Sequence, residues 1–172
     1  MERTIRLVST DKVNSIVSVT EAKSHLAVRG SRNDALIQTF VSGSKKTLES
    51  YLSRKLDDCT YSVIFDIQGN RPAIEDRLWL GVAPVTGVAY KGDKLDVYGD
   101  FNRYVKFNAA MEGEDKITLS VTVQWGDYLD GIKVPAMTII NDFYNNRAYT
   151  KGVAYNVNET ISAALMSYRR IS

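Results

Sequence analysis

Few groups in this sequence could do covalent chemistry. Cys59 is the single cysteine and His25 the single histidine, so a thiol–imidazole dyad is possible in principle and a two-histidine mechanism is not. Cys59 opens the apolar alternating run "CTYSVIFDI", and His25 lies on a helical stretch just before a leucine, so both read as structural residues. One cysteine excludes an internal disulfide and a cysteine-based zinc site, and one histidine excludes a histidine-rich metal site. Carboxylates occur in pairs: Asp57 with Asp58, Glu75 with Asp76, and Asp127 with Asp130. The last pair, in "WGDYLDG", has the outline of a calcium loop but lacks its alternating oxygen ligands and closing glutamate. Aspartate beside glycine is ordinary turn chemistry. No phosphate-cradling glycine pattern is present, and "GSKKT" falls within a helical stretch with no strand before it. These residues predict no catalytic set, no metal and no cofactor.

Non-covalent chemistry has more material. "YKGDKLDVYGDFNRYVKF" interleaves Tyr90, Tyr98, Phe101, Tyr104 and Phe107 with Lys91, Lys94, Arg103 and Lys106. Aromatic faces beside cations can stack bases and hold a backbone. Asp93, Asp96 and Asp100 offset that charge locally, and strand aromatics also serve as cross-strand packing pairs. A DNA-binding accessory protein using residues 90–107 is therefore the alternative reading.

The elements that position these residues follow from periodicity. Ile5 and Leu7 sit in a loosely alternating start, which predicts a strand or extended arm over residues 3–9. Ser18 and Glu21 have capping-box spacing and predict a helix running to about Ala27, with Gly30 ending it. Ser31 and Asp34 repeat the start signal. Leu36, Ile37, Phe40, Val41, Leu48, Tyr51, Leu52 and Leu56 then recur at threes and fours as one long apolar stripe. Gly43 and Ser44 interrupt that stripe, and a close helix–helix or subunit contact accounts for them. From Cys59 the period changes to two. "KITLSVTVQW" places Ile117, Leu119, Val121, Val123 and Trp125 on one face, and Gly87, "KGDK" and "YGDFN" punctuate the strands before it. Trp79 and Trp125 are both expected in the sheet core. Pro135 is expected to start a third helix lined by Met137, Ile140 and Tyr144. After the loop "AYTKGVAYNVN", Asn158 is expected to cap a last helix with Ile161, Leu165 and Tyr168 inward. The expected fold class is α+β: an N-terminal α-hairpin with a long second helix (18–56), an antiparallel β-meander (59–126) and two C-terminal helices (135–170), all in one domain.

Composition narrows the setting. A chain of 172 residues buries roughly 70% of its unfolded surface and needs no disulfide or metal to fold. With 22 Lys and Arg against 20 Asp and Glu, the net charge of +2 is too weak for a dedicated nucleic-acid binder. Neither a signal peptide nor a membrane span is expected, so the chain reads as soluble and made in a reducing cytoplasm.

The order of motifs resembles the head–tail connector (adaptor, head-completion) proteins of tailed bacteriophages. "SVTEAKSHLAV" is similar to the family's opening helix and "NDALIQTFVSGSKKTLESYLSRKL" to its long second helix. "RLWLGVAPVTGVAYK" resembles the entry to the sheet, "VTVQWGDYLDGIKVPAMTIINDFYNNR" the aromatic–glycine turn leading to Val-Pro and a helix, and "ISAALMSYRRIS" the closing helix. The resemblance covers most of residues 16–172. It implies a non-enzymatic virion protein, assembled in the host cytoplasm. Its subunits form a homo-oligomeric ring, typically a dodecamer, under the portal protein at the head–tail interface. The ring would continue the channel for double-stranded DNA and offer a platform to a stopper or tail protein. It points to Arg29, Ser31, Arg32, Gly43, Lys45, Lys46, Tyr168, Arg169 and Arg170 as subunit or portal contacts, and to Lys91, Lys94, Arg103 and Lys106 as channel contacts. The loop from Tyr149 to Asn156 is a further docking candidate. The sequence stops two residues after Arg170, so the long C-terminal arm of other members is not expected.

Overall fold

A computed structural model of the chain describes residues 1–69, 71–146 and 159–166. Asn158, Tyr168 and the loop from Tyr149 to Asn156 lie outside these. The elements in chain order are β1 (Glu2–Lys12), α1 (Val19–His25), α2 (Asp34–Leu52), β2 (Asp58–Asp66), β3 (Arg77–Trp79), β4 (Val85–Tyr90), β5 (Asp93–Leu95), β6 (Tyr104–Lys106), β7 (Lys116–Val123), α3 (Tyr128–Asn145) and α4 (Glu159–Leu165). The class is α+β, with an antiparallel sheet. Among the described residues no helix is long and apolar enough to cross a membrane.

The chain divides into two compact units. The β unit comprises residues 1–13 and 57–125. Its five-stranded sheet has the order β1-β2-β7-β4-β5, and β3 and β6 form a separate two-stranded ribbon. This departs from a simple meander, because β7 inserts between β2 and β4 and pairs with both. The N-terminal segment is the full 11-residue edge strand β1, paired along β2. Ile117, Leu119, Val121 and Val123 are buried along one face of β7, opposite Phe65, Val63, Tyr61 and Cys59 of β2. Each such aliphatic side chain contributes about 1.5–3 kcal/mol when fully buried. The other face carries Thr60, Ser62, Thr118, Ser120 and Thr122, the solvated side that the alternation predicts. Gly87 does not punctuate the strands: it lies inside β4 at a register shift, where one extra residue is accommodated as a bulge.

The helical unit comprises residues 14–56 and the described residues from Gly126 onward. Ser18 caps α1, and the Ser18–Glu21 capping box forms with both of its bonds. Gly30 does not end this helix. Ala27 adopts the left-handed conformation at φ 54, and its N–H and that of Val28 close back on Ser24 and Lys23, at 3.3 and 3.0 Å. An alanine thus takes the position usually given to glycine, at a cost of roughly 1–2 kcal/mol, because two terminal carbonyls are satisfied in return. Nor does Ser31 cap α2. The N-cap is Asn33, without a side-chain bond, and the Asp34 carboxylate instead accepts from Lys23 at 2.6 Å, tying α1 to α2. Helix α2 buries Ile37, Phe40, Leu48 and Leu52. Leu56 is buried beyond its end, held by Glu49, which accepts from the Leu56 N–H at 3.0 Å.

Pro135 lies in the middle of α3 rather than at its start. A proline there leaves the Gly131 carbonyl without its helical donor, a loss of about 3 kcal/mol in a helix interior. Gly131 is exposed, so water can serve that carbonyl. Burial of Ile132, Pro135, Ala136, Ile139 and Ile140 along one stripe carries the helix through. Gly43 faces α3: a Cβ there would meet Phe143 Cε2 at 3.2 Å. Its close approach is therefore between two helices of one chain. Helix α4 buries Ile161 and Leu165, and Ser162 hydrogen-bonds Tyr51 of α2.

Lys133 of α3 donates to the same Glu21 carboxylate that closes the capping box. Lys133 first, and Ser18 after it, hold the Glu21 carboxyl down at about 2 against an ordinary 4.5. Because the folded value is the lower one, this stabilisation is complete above about pH 4.5 and is lost as the pH falls toward 2. Urea midpoints followed through that window are expected to fall more steeply for the wild type than for Glu21→Gln. Parallel curves would assign the acid sensitivity elsewhere.

Candidate functional site

The β3–β6 ribbon presents the most distinctive exposed chemistry. Arg77 pairs with Lys106, Leu78 with Val105 and Trp79 with Tyr104. Strand alternation sends Leu78 and Val105 inward, where both are fully buried, and places Arg77, Trp79, Tyr104 and Lys106 together on the outer side. Trp79 is 47% exposed, which corrects its assignment to the core. Its ring lies 5.1 Å from that of Tyr104, and Tyr98 stacks on the other side of Tyr104 at 5.7 Å. Arg77 sits over Tyr104 and Lys106 over Tyr98, each at 5.1 Å from the ring centroid.

The local sequence explains how the ladder is held. Tyr98 bridges Tyr104 across the turn "YGDFN". Gly99 has φ 82, where a side chain is strained, and a Cβ there would press on the Tyr104 ring at 3.0 Å. Phe101 and Asn102 also adopt left-handed backbone, at φ 58 and 53. Asn102 secures the turn by donating from Nδ2 to the Val85 carbonyl at 2.8 Å. Lys106 also binds Glu75 at 2.5 Å, and that carboxylate raises the lysine above its usual range.

The channel candidates divide. Arg103 and Lys106 join this aromatic surface, with Arg103 over Phe101 at 5.3 Å. Lys91 and Lys94 belong to the β4–β5 hairpin instead. Lys91 occupies its tight turn at φ 50, bonds Glu114 at 2.5 Å and is raised by that partner; Lys94 is exposed. Arg29, Ser31 and Arg32 are exposed in the α1–α2 loop, and Lys46 is exposed on α2. Lys45 is committed to the helical unit's own frame, donating to the Asn14 carbonyl at 2.9 Å. Gly43 lies against Phe143, and Tyr168, Arg169 and Arg170 lie outside the described residues. Arg77 and Trp79 were missed by sequence reasoning. The signal was present in "RLW": one buried leucine between two residues places both on the opposite side.

Several of the groups weighed for covalent chemistry are engaged in the fold. Cys59 is buried in β2, and burial pushes its thiol up, away from the reactive thiolate. His25 is exposed in the last turn of α1. Asp58 accepts from the Trp125 N–H at 2.9 Å and Asp76 from the Ala73 N–H at 2.7 Å. Asp127 lies in the turn that leads into α3, at its N-cap, and Asp130 lies in the first turn of that helix. Among the described residues no group of three or more His, Cys, Asp or Glu could hold a metal.

No protein-family model matches the sequence, and no curated protein does. Solved structures do match. A chain from the neck of an empty GTA particle, computed with C6 symmetry, superposes with a TM-score of 0.59 over 98% of this chain and 96% of that one, at 13% identity. The fold is one found in particle necks. A chain in the virion of the native gene transfer agent (GTA) particle gives the same values. One from the neck of the native GTA particle, computed with C12 symmetry, gives 0.57 over 96% and 97% at 13% identity. The match runs nearly end to end in both chains, so it includes both compact units and not the sheet alone.

Proposed function

We propose that this chain is a structural protein of a virion neck, a head–tail connector that assembles as a ring on the portal and carries the DNA channel toward the tail. The observation that supports it most is the nearly complete fold correspondence with neck chains of particles described with six- and twelve-fold symmetry. The motif order from Ser18 to the C-terminal residues supports the same reading independently. Ring formation requires heterologous contacts, one surface of a subunit against a different surface of the next. Arg29, Ser31, Arg32 and Lys46 are the exposed candidates for subunit or portal contact. Of the four channel candidates, Lys91 and Lys94 on the β4–β5 hairpin are the ones proposed to face DNA, since Arg103 and Lys106 belong to the aromatic ribbon. A net charge of +2 suits a channel wall that lets DNA pass without gripping it, since affinity for DNA grows with each phosphate neutralised. The protein acts by assembly and not by catalysis.

The test is the mass of the purified chain by light scattering, alone and mixed with the cognate portal protein. A ring-sized species, or one formed only with portal, is expected. A monomer indifferent to portal at micromolar concentration would remove the reading.

A further inference from the structure

The ribbon has the composition of a protein-binding hot spot: a half-exposed tryptophan, two stacked tyrosines and an arginine, with Ile74 52% exposed in the loop preceding β3. Its charge does not suit a nucleic-acid track. Glu75 occupies Lys106, and the carboxylates of Asp76 and Asp100 lie close by in the sequence of the same surface loops. Arg77 lies over Tyr104 and has no carboxylate partner among the described residues. Single-strand platforms instead line their aromatics with several uncommitted cations. The occupant this surface fits is apolar and acidic.

The chain carries such a surface in its other unit. Asp127, Asp130 and Val134 recur at helical spacing on one side of the start of α3, all exposed, with Val134 at 72% and Tyr128 at 41%. The Asp127 side chain makes no capping bond, and neither aspartate forms an ion pair among the described residues. An acidic helix start with an aliphatic side chain one turn on complements a cationic aromatic ribbon in both charge and polarity.

We propose that the Arg77–Trp79–Tyr104–Lys106 face of one subunit seats the α3 start of a second copy, with Arg77 opposed to Asp127 and Asp130 and Val134 packed on the aromatic ladder. This inference rests on the ring reading. It supplies what a ring needs, because the two surfaces are different and each subunit offers one of each.

A charge-swap experiment on the ring-sized species tests it, with wild type and variants each measured alone and with the cognate portal by light scattering. Arg77→Glu and Asp130→Arg are each expected to raise the concentration needed for assembly by roughly tenfold or more, and Arg77→Glu combined with Asp130→Arg to restore it to within about threefold. Trp79→Ala is expected to weaken assembly as Arg77→Glu does. Arg77, Trp79 and Asp130 are exposed, and unchanged circular dichroism at the assay temperature would confirm that the variants fold. If wild-type rings form and the single charge reversals leave them intact, or if the double variant shows no rescue, this contact is wrong while the ring reading stands. If wild type forms no ring, both fall together. Salt-dependent binding of an oligothymidylate strand that is lost in Trp79→Ala, with rings unaffected, would give the surface to single-stranded nucleic acid and overturn the proposal.

Discussion

Trp125→Ala is expected to lower folding stability by about 3–5 kcal/mol, while Trp79→Ala lowers it by only about 1 kcal/mol. The two tryptophans have the same bulk and opposite surroundings. Trp125 is fully buried just past the end of β7, and its backbone N–H is held by the Asp58 carboxylate at 2.9 Å. Truncation there removes the largest buried side chain and leaves a cavity that the anchored backbone cannot collapse to fill. Trp79 is 47% exposed and loses mainly its contact with the Tyr104 ring. Domains of this kind hold about 5–15 kcal/mol in all, so the first change removes a large share and the second does not. Urea denaturation followed by circular dichroism measures both. Equal midpoint shifts would contradict the burial assignment.

Phe40→Ala is the second large change, expected to cost about 3–5 kcal/mol. Phe40 is 2% exposed and lies between α2 and α3, with ring centroids 6.1 Å from Phe143 and 6.5 Å from Tyr144, the latter edge to face. Gly43, one turn further along α2, lets the helix approach the Phe143 ring, so Phe143 is confined from two positions. Removing Phe40 leaves the two α3 rings without their shared partner. The loss should appear in chemical denaturation, with Phe143→Leu, which keeps an apolar side chain, costing less. A Phe40→Ala protein as stable as wild type would mean that the helices repack around the gap.

Local signals were legible where one force decides. The alternation from Ile117 to Trp125 named five residues that are all buried, because a strand with one solvated face admits no other arrangement of period two. The Ser18–Glu21 capping box formed as its spacing requires, since both bonds lie within a single turn. The candidate site was only partly legible. Tyr98, Tyr104, Arg103 and Lys106 were visible as an aromatic–basic stretch, but their partners Arg77 and Trp79 come from a strand more than twenty residues earlier. Ribbon pairing, a long-range event, brings them together.

Where local and tertiary preferences disagreed, the tertiary ones prevailed. Proline ordinarily begins a helix, yet Pro135 is interior to α3 because the apolar stripe extends back to Ile132, and Gly131, whose carbonyl loses its helical donor, is exposed. Ala27 and not Gly30 turns the end of α1, since two closing hydrogen bonds outweigh the left-handed strain. The sequence by itself determined the α+β class and the two long apolar faces. The tertiary structure alone decided that β7 runs between β2 and β4, that Gly43 admits an α3 ring, and that Trp79 faces outward on a cationic ribbon. Each of these depends on which distant strand or helix supplies the neighbour, and residue spacing along one segment does not carry that information.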